Sequence, residues 1–249
     1  QAGRSADAIG LLNKVIAKRA DTADAYLSLA YLYWNAGQAG DAIATLERGL
    51  KAGAPDRDIR IRLGIYLAES HTDARRAIQV LERLPGTDVE ALNGLGIAYI
   101  GAKQFVDARR TLTKALALDP TNGLALQNLG VNALTAFEAS GRKDQALLKE
   151  ADDYLRRSLE ADPTLAGSYT ALGATLSYMN NKADAIVAWR KAIELDPADA
   201  NTLYNLGLEL ARAGRRDEAI TFGRQFLAAT PPNAMPQERA EILKYVGGL

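Results

Sequence analysis

The stretch Tyr169-Thr170-Ala171-Leu172-Gly173-Ala174-Thr175-Leu176, followed by Ala185, Trp189, Ala192 and the pair Asp196-Pro197, decides how this chain folds. Its Leu-small step recurs at Leu29-Ala30, Leu63-Gly64, Leu95-Gly96, Leu129-Gly130 and Leu206-Gly207. The small residues are 34, 32, 34, 43 and 34 positions apart, a period that marks stacked copies of one supersecondary unit. An alanine follows each step, at Ala42, Ala77, Ala108, Ala151, Ala185 and Ala219, and a proline closes most units, at Pro55, Pro120, Pro163, Pro197 and Pro231.

Each unit reads as two amphipathic helices. In the third, Leu92, Leu95 and Tyr99 share one helical face, a turn at Gly101 to Lys103 follows, and Ala108, Leu112 and Ala115 form a second apolar stripe. The small residues let two backbones approach closely while Leu and aromatic side chains fill the space beside them. The pairs Asp119-Pro120, Asp162-Pro163 and Asp196-Pro197 stop the second helix, because proline has no amide donor and disfavours helical geometry in the residue before it.

These positions resemble the tetratricopeptide repeat, a 34-residue helix pair, over essentially the whole chain. The resemblance implies an all-α, right-handed solenoid of antiparallel helix pairs. Six repeats are expected near 24–55, 56–88, 89–120, 121–163, 164–197 and 198–231, so that 24–231 forms the repeat body. Residues 1–23, with Ala8, Ile9, Leu12 and Val15 on one face, fit the second helix of a truncated leading repeat. Residues 232–249, with Ile242, Leu243 and Val246, fit a capping helix over the last pair. Unit two is short, because Leu84-Pro85-Gly86 ends its second helix early. Unit four carries nine extra residues between Gly130 and Ala151; they lengthen both helices around a Ser140 to Asp144 turn and predict a protruding tip.

The composition narrows the chemistry. Lys plus Arg number 30 and Asp plus Glu number 30, so no net field draws the chain to nucleic acid or anionic membrane. Cysteine is absent and His71 is the single histidine, which leaves no thiolate or imidazole cluster for a metal and no evident nucleophile–base pair. Asn93-Gly94-Leu95-Gly96 has no preceding strand and reads as helix packing, not as a phosphate loop. The charge-free runs Pro120 to Phe137 and Pro163 to Asn181 hold too much Pro, Gly, Asn, Ser and Thr to span lipid. The arginine pairs at 75–76, 109–110, 156–157 and 215–216 sit beside Asp73, Asp107, Asp153 and Asp217, which offset them. No catalytic, cofactor or metal residue is assigned.

The resemblance further implies that first helices line a concave face and that partner contacts gather at fixed positions along them. Mapped here, these are Leu27, Tyr31 and Trp34, then Ile61 and Ile65, then Asn93, Ile97 and Ile100. The later repeats contribute Gln127, Val131 and Leu134, then Tyr178, and finally Tyr204, Leu208 and Arg212. The family's carboxylate clamp is not met: Asn128 and Asn205 hold the middle position, but Asn93 with Ile97 and Thr170 with Ala174 stand where its other residues belong. The expected groove is mostly apolar. It suits a protein or peptide partner, another domain of the same polypeptide, or self-association. A second reading treats the chain as the accessory part of a larger enzyme, since its style is also similar to the repeat tails of bacterial sulfatase-type hydrolases, although no sulfatase motif is present.

Overall fold

In the computed structural model, which describes residues 2–70, 73–231 and 234–246, every regular element is an α-helix. The chain divides into two compact units, Gln1–Pro120 and Thr121–Leu249. The first holds α1 (Ala2–Lys18), α2 (Ala23–Asn35), α3 (Ala39–Lys51), α4 (Asp56–Glu69), α5 (Ala74–Leu81), α6 (Val89–Gly101) and α7 (Phe105–Leu118). The second holds α8 (Gly123–Ala139), α9 (Gln145–Ala161), α10 (Ala166–Tyr178), α11 (Lys182–Leu195), α12 (Ala200–Arg212), α13 (Arg216–Ala229) and α14 (Pro236–Val246). Even-numbered helices up to α12 are first helices; each packs on the odd-numbered helix that follows it, and α2, α4, α8 and α10 also touch the first helix of the next pair.

The close approach inside a pair rests on a small residue facing a large one. A Cβ added to Gly64 would lie 2.4 Å from Leu81, one on Gly96 2.4 Å from Leu112, one on Gly130 2.5 Å from Leu155, and one on Gly173 2.5 Å from Trp189. Those partners are themselves buried, Leu112 and Leu155 completely, so the space is filled on both sides. Pair α12–α13 differs: Gly223 stands in the partner position, and a Cβ on Gly207 would meet nothing closer than 3.5 Å.

Backbone conformation sets each turn. Gly37, Lys103, Asn180 and Gly214 all have positive φ, between 58° and 75°, and each lies seven residues after its pair's small residue. His71 lies outside the described residues. Asp119, Asp162 and Asp196, each before a proline, are extended at φ near −140° and end α7, α9 and α11. Helix starts are capped by side chains that accept from backbone N–H groups: Asp73 from Arg76, Asp88 from Ala91 and Asn122 from Ala125.

The insertion lengthens α8 and α9 to 17 residues each. Residues 138–146 at its tip are all exposed, and side chains of the tip reach the neighbouring pair. Phe137 packs on Tyr178 at 5.3 Å between ring centroids, the Tyr178 hydroxyl donates to Glu138 Oε1 at 2.8 Å, and the Arg142 guanidinium lies 5.0 Å over the Tyr178 ring. The physical reason is aromatic burial: α10 ends in a tyrosine at the height the extra turns of α8 reach.

At the far end of the second unit, α14 lies on α12 and α13. Ile242 is buried against Leu203 and Phe226, whereas Leu243 is half-exposed. Arg239 donates to the carbonyls of Leu227 and Thr230 at 3.1 and 2.8 Å, so it satisfies orphan acceptors at the end of α13. Pro232 and Asn233 lie outside the described residues, as does the Val246 side chain.

Candidate functional site

In the first unit, α2, α4 and α6 enclose an open cleft of about 710 Å³. From α2 it takes Leu27, Ser28, Tyr31 and Leu32, from α4 Arg57, Asp58, Ile61 and Arg62, and from α6 Glu90. Tyr31 is 58% exposed there, an unusual state for a large aromatic side chain on a helix whose preceding turn is core. Ile61 is buried and forms the floor.

Charge enters this cleft more than the sequence suggested. Arg57 donates through Nε and Nη2 to the two carboxylate oxygens of Asp88 at 2.7 and 3.0 Å, reaches Glu90 at 3.4 Å and also pairs with Asp58. Asp88 caps α6 at the same time. Burial raises its pKa, but the hydrogen bonds from Arg57 and from the Ala91 N–H outweigh that and hold the carboxyl below its ordinary range. The same hydrogen bonds, with Asp88 first and Asp58 second, push the Arg57 guanidinium up. Arg62 lies 5.8 Å over the Tyr66 ring and has no carboxylate partner among the described residues.

The remaining first-unit residues expected in the groove have other surroundings. Trp34 stacks on Tyr66 at 4.0 Å with an interplanar angle of 4°; Tyr66 belongs to the core of the unit and Trp34, half-buried, packs against it. Burial is the first cause that raises the Tyr66 pKa. Asn93 is buried, and Ile65 and Ile97 pack against the core. Ile100 is half-buried. The cleft thus gathers Leu27, Tyr31 and Ile61 and leaves out Trp34, Ile65, Asn93, Ile97 and Ile100.

In the second unit a smaller pocket, about 300 Å³, lies between the insertion tip, α10 and α12. Tyr178, Tyr204, Leu208 and Arg212 line it, with Leu208 itself buried. Its base is Glu209, 2% exposed, which accepts from Ser177 Oγ at 3.2 Å and faces Lys182 and Arg212 at 3.6 and 3.8 Å. Sequence reading passed over Glu209. The signal was present: Tyr66, Ala98 and Thr175, all buried, hold its register position in other repeats, so a carboxylate there implies an enclosed charge. Gln127 is committed to a tie between helices, accepting from Ser168 Oγ at 3.0 Å. Leu134 is buried in the core and Val131 packs against it.

At least one member of each arginine pair is held by a carboxylate. Arg76 pairs with Glu47, Arg110 with Asp107, Arg156 with Asp152, Arg157 with Asp153 and Arg215 with Glu218. Among the described residues no group of three or more His, Asp or Glu is placed to hold a metal, and no helix is long and apolar enough to cross a membrane.

Three family models match the chain: a tetratricopeptide repeat model over residues 1–61, another over 89–122, and a TPR repeat model over 178–214. Together they span just over half of it. No curated protein sequence matches. Among solved structures, a tetratricopeptide repeat protein from Parabacteroides merdae is similar at a TM-score of 0.71 and 14% identity, covering 99% of this chain and 94% of that one. The Cut9-Hcn1 hetero-tetramer of the APC/C is similar at 0.65 and 19% identity, over 99% of this chain and 46% of that one. The thermophilic TPR protein TTC0263 of Thermus thermophilus is similar at 0.57 and 16% identity, over 89% and 97%. At these identities the structural likeness shows the fold. The similarity to sulfatase-type repeat tails finds no support in these matches.

Proposed function

The chain belongs to the tetratricopeptide repeat family, and from that premise we propose that it is a non-catalytic scaffold whose first-unit cleft holds a peptide or helix of another protein. Repeats of this family are generally protein-interaction scaffolds, and one structural neighbour is a hetero-tetramer of two named proteins, Cut9 and Hcn1. The observation that carries the reading is Tyr31, 58% exposed at the mouth of a cleft of about 710 Å³. Aromatic side chains with a rigid support are the commonest binding anchors, and this one stands on a helix fixed by the buried Tyr26, Leu29 and Ala30.

The test is selection of peptides from a displayed library on the whole chain, followed by affinity measurements with Tyr31→Ala, Leu27→Ala and Tyr178→Ala. Tyr31→Ala is expected to weaken selected peptides about tenfold, on the scale of an interface anchor, and to leave the melting temperature in place. Tyr178→Ala is expected to lower stability, because Tyr178 holds the insertion tip. Peptides that bind equally well to the Tyr31→Ala and Leu27→Ala variants would overturn the cleft assignment.

A further inference from the structure

The first-unit cleft has two electrical ends. At one, a single guanidinium, Arg57, serves three carboxylates. Asp88 takes two of its hydrogen bonds and is nearly buried, while the side chains of Asp58 and Glu90 stay 62% and 57% exposed. That end carries surplus negative charge. At the other end the Arg62 guanidinium lies over the Tyr66 ring and makes no ion pair with a carboxylate among the described residues. Asp58 and Arg62 are four residues apart on α4, about 6 Å along one helix face, yet they make no ion pair with each other because Asp58 turns to Arg57. Between the two ends the cleft offers the apolar surface of Leu27, Tyr31 and Ile61.

We propose that this cleft selects a partner segment in which apolar residues are flanked by an acidic side chain on one side and a basic one on the other, the acid seated at Arg62 and the base at Asp58 and Glu90. The inference rests on the reading of the cleft as a partner site and adds its polarity. The carboxylate is a side chain within a continuing segment. Complementary charges contribute about as much as a rim ion pair each, enough to rank partners and to orient them along α4.

Three capped nine-residue peptides test it by fluorescence anisotropy on the whole chain. Each has a central Leu-Leu pair; one is flanked by Glu and Arg, one by Gln on both sides, and one by Arg on both sides. The intact chain is expected to prefer the Glu/Arg peptide to the Gln peptide about fivefold at low salt, and to lose most of that preference at 0.5 M salt (an ionic strength at which the screening length is only about 4 Å). Arg62→Glu is expected to move the preference to the peptide with two Arg flanks, and Arg62→Gln to abolish discrimination at the acidic flank. Thermal melts of both variants establish that the fold is kept. An unchanged ranking in Arg62→Glu overturns the proposal, and so does failure of all three peptides to bind. If the peptides bind without charge preference and Tyr31→Ala abolishes that binding, the polarity falls and the cleft stands; if Tyr31→Ala has no effect, both fall.

Discussion

Gly173 and Gly207 occupy the same register position, but one faces the Trp189 indole and the other the backbone of Gly223. A methyl at residue 173 would lie 2.5 Å from the indole ring, whose Nε1 donates to the Thr170 carbonyl at 3.1 Å and cannot withdraw without breaking that bond. Gly173→Ala is therefore expected to cost about 1–3 kcal/mol through overpacking. At residue 207 the added carbon makes ordinary contacts of 3.5 Å and longer, and alanine in a helix interior gains up to about 1 kcal/mol over glycine. Gly207→Ala is expected to be neutral or stabilising. Urea denaturation of both variants checks the pair, and equal losses would show that these helix approaches are not set by their facing side chains. The sequence told that a small residue stands at each site. It did not tell which ones are obligatory, because the answer lies in the residue sixteen positions on, large in one pair and glycine in the other.

Helix α5 has eight residues where other second helices have 13 or more, and something must replace the lost contact. Tyr99 of α6 supplies part of it: its hydroxyl donates to Glu82, the residue that closes α5, at 2.8 Å. Burial first, and then the hydrogen bond to Glu82, push the Tyr99 pKa up to about 12. A tyrosine in the unfolded chain ionises near 10, so the unfolded state loses its proton first as pH rises. The stabilisation is complete below pH 10 and drains away as pH climbs through about 12. Melting temperatures recorded from pH 8 to 12 are expected to fall less steeply above pH 10 in Tyr99→Phe than in the unaltered chain, while at pH 8 the variant is less stable by roughly the 1 kcal/mol of one hydrogen bond. Parallel curves would exclude this role. The early end of α5 was legible in Leu84-Pro85-Gly86, since proline forbids continuation. The tie that compensates was not, because it joins residues 17 apart whose types, Tyr and Glu, carry no spacing signature.

At the scale of the whole molecule, a helical array is sustained by nearest-neighbour interfaces, so what a terminal helix covers decides how its unit opens. The pairs themselves were readable from period, small residues and Asp-Pro stops, all of them local constraints on backbone geometry. The cleft was readable only in part. Tyr31 and Leu27 follow from the register, but Arg57, Asp58, Arg62 and Glu90 are exposed residues with no spacing signature, and their meaning arises only when α2, α4 and α6 are brought together. The docked insertion tip likewise depends on contact between residues 138 and 178. In the second unit α14 makes the neighbour argument testable. It covers Leu203 and Phe226, both fully buried, supplies Arg239 to the last carbonyls of α13, and accepts the Tyr204 hydroxyl at Glu241 at 2.6 Å. Burial and then that hydrogen bond push Tyr204 up to about 12, so this tie also weakens in strong alkali. Ending the chain after residue 235 would expose two large side chains, each worth about 1.5–3 kcal/mol of burial, and leave orphan carbonyls at a helix end. The loss is expected to be graded within the unit, because α12 and α13 touch α14 and α8 and α9 do not. Native-state hydrogen exchange should then show protection falling by several kcal/mol in α12 and α13, by less in α10 and α11, and least in α8 and α9. Uniform loss of protection from α8 to α13 would mean that the unit opens as a single cooperative body and that α14 stabilises all of it equally.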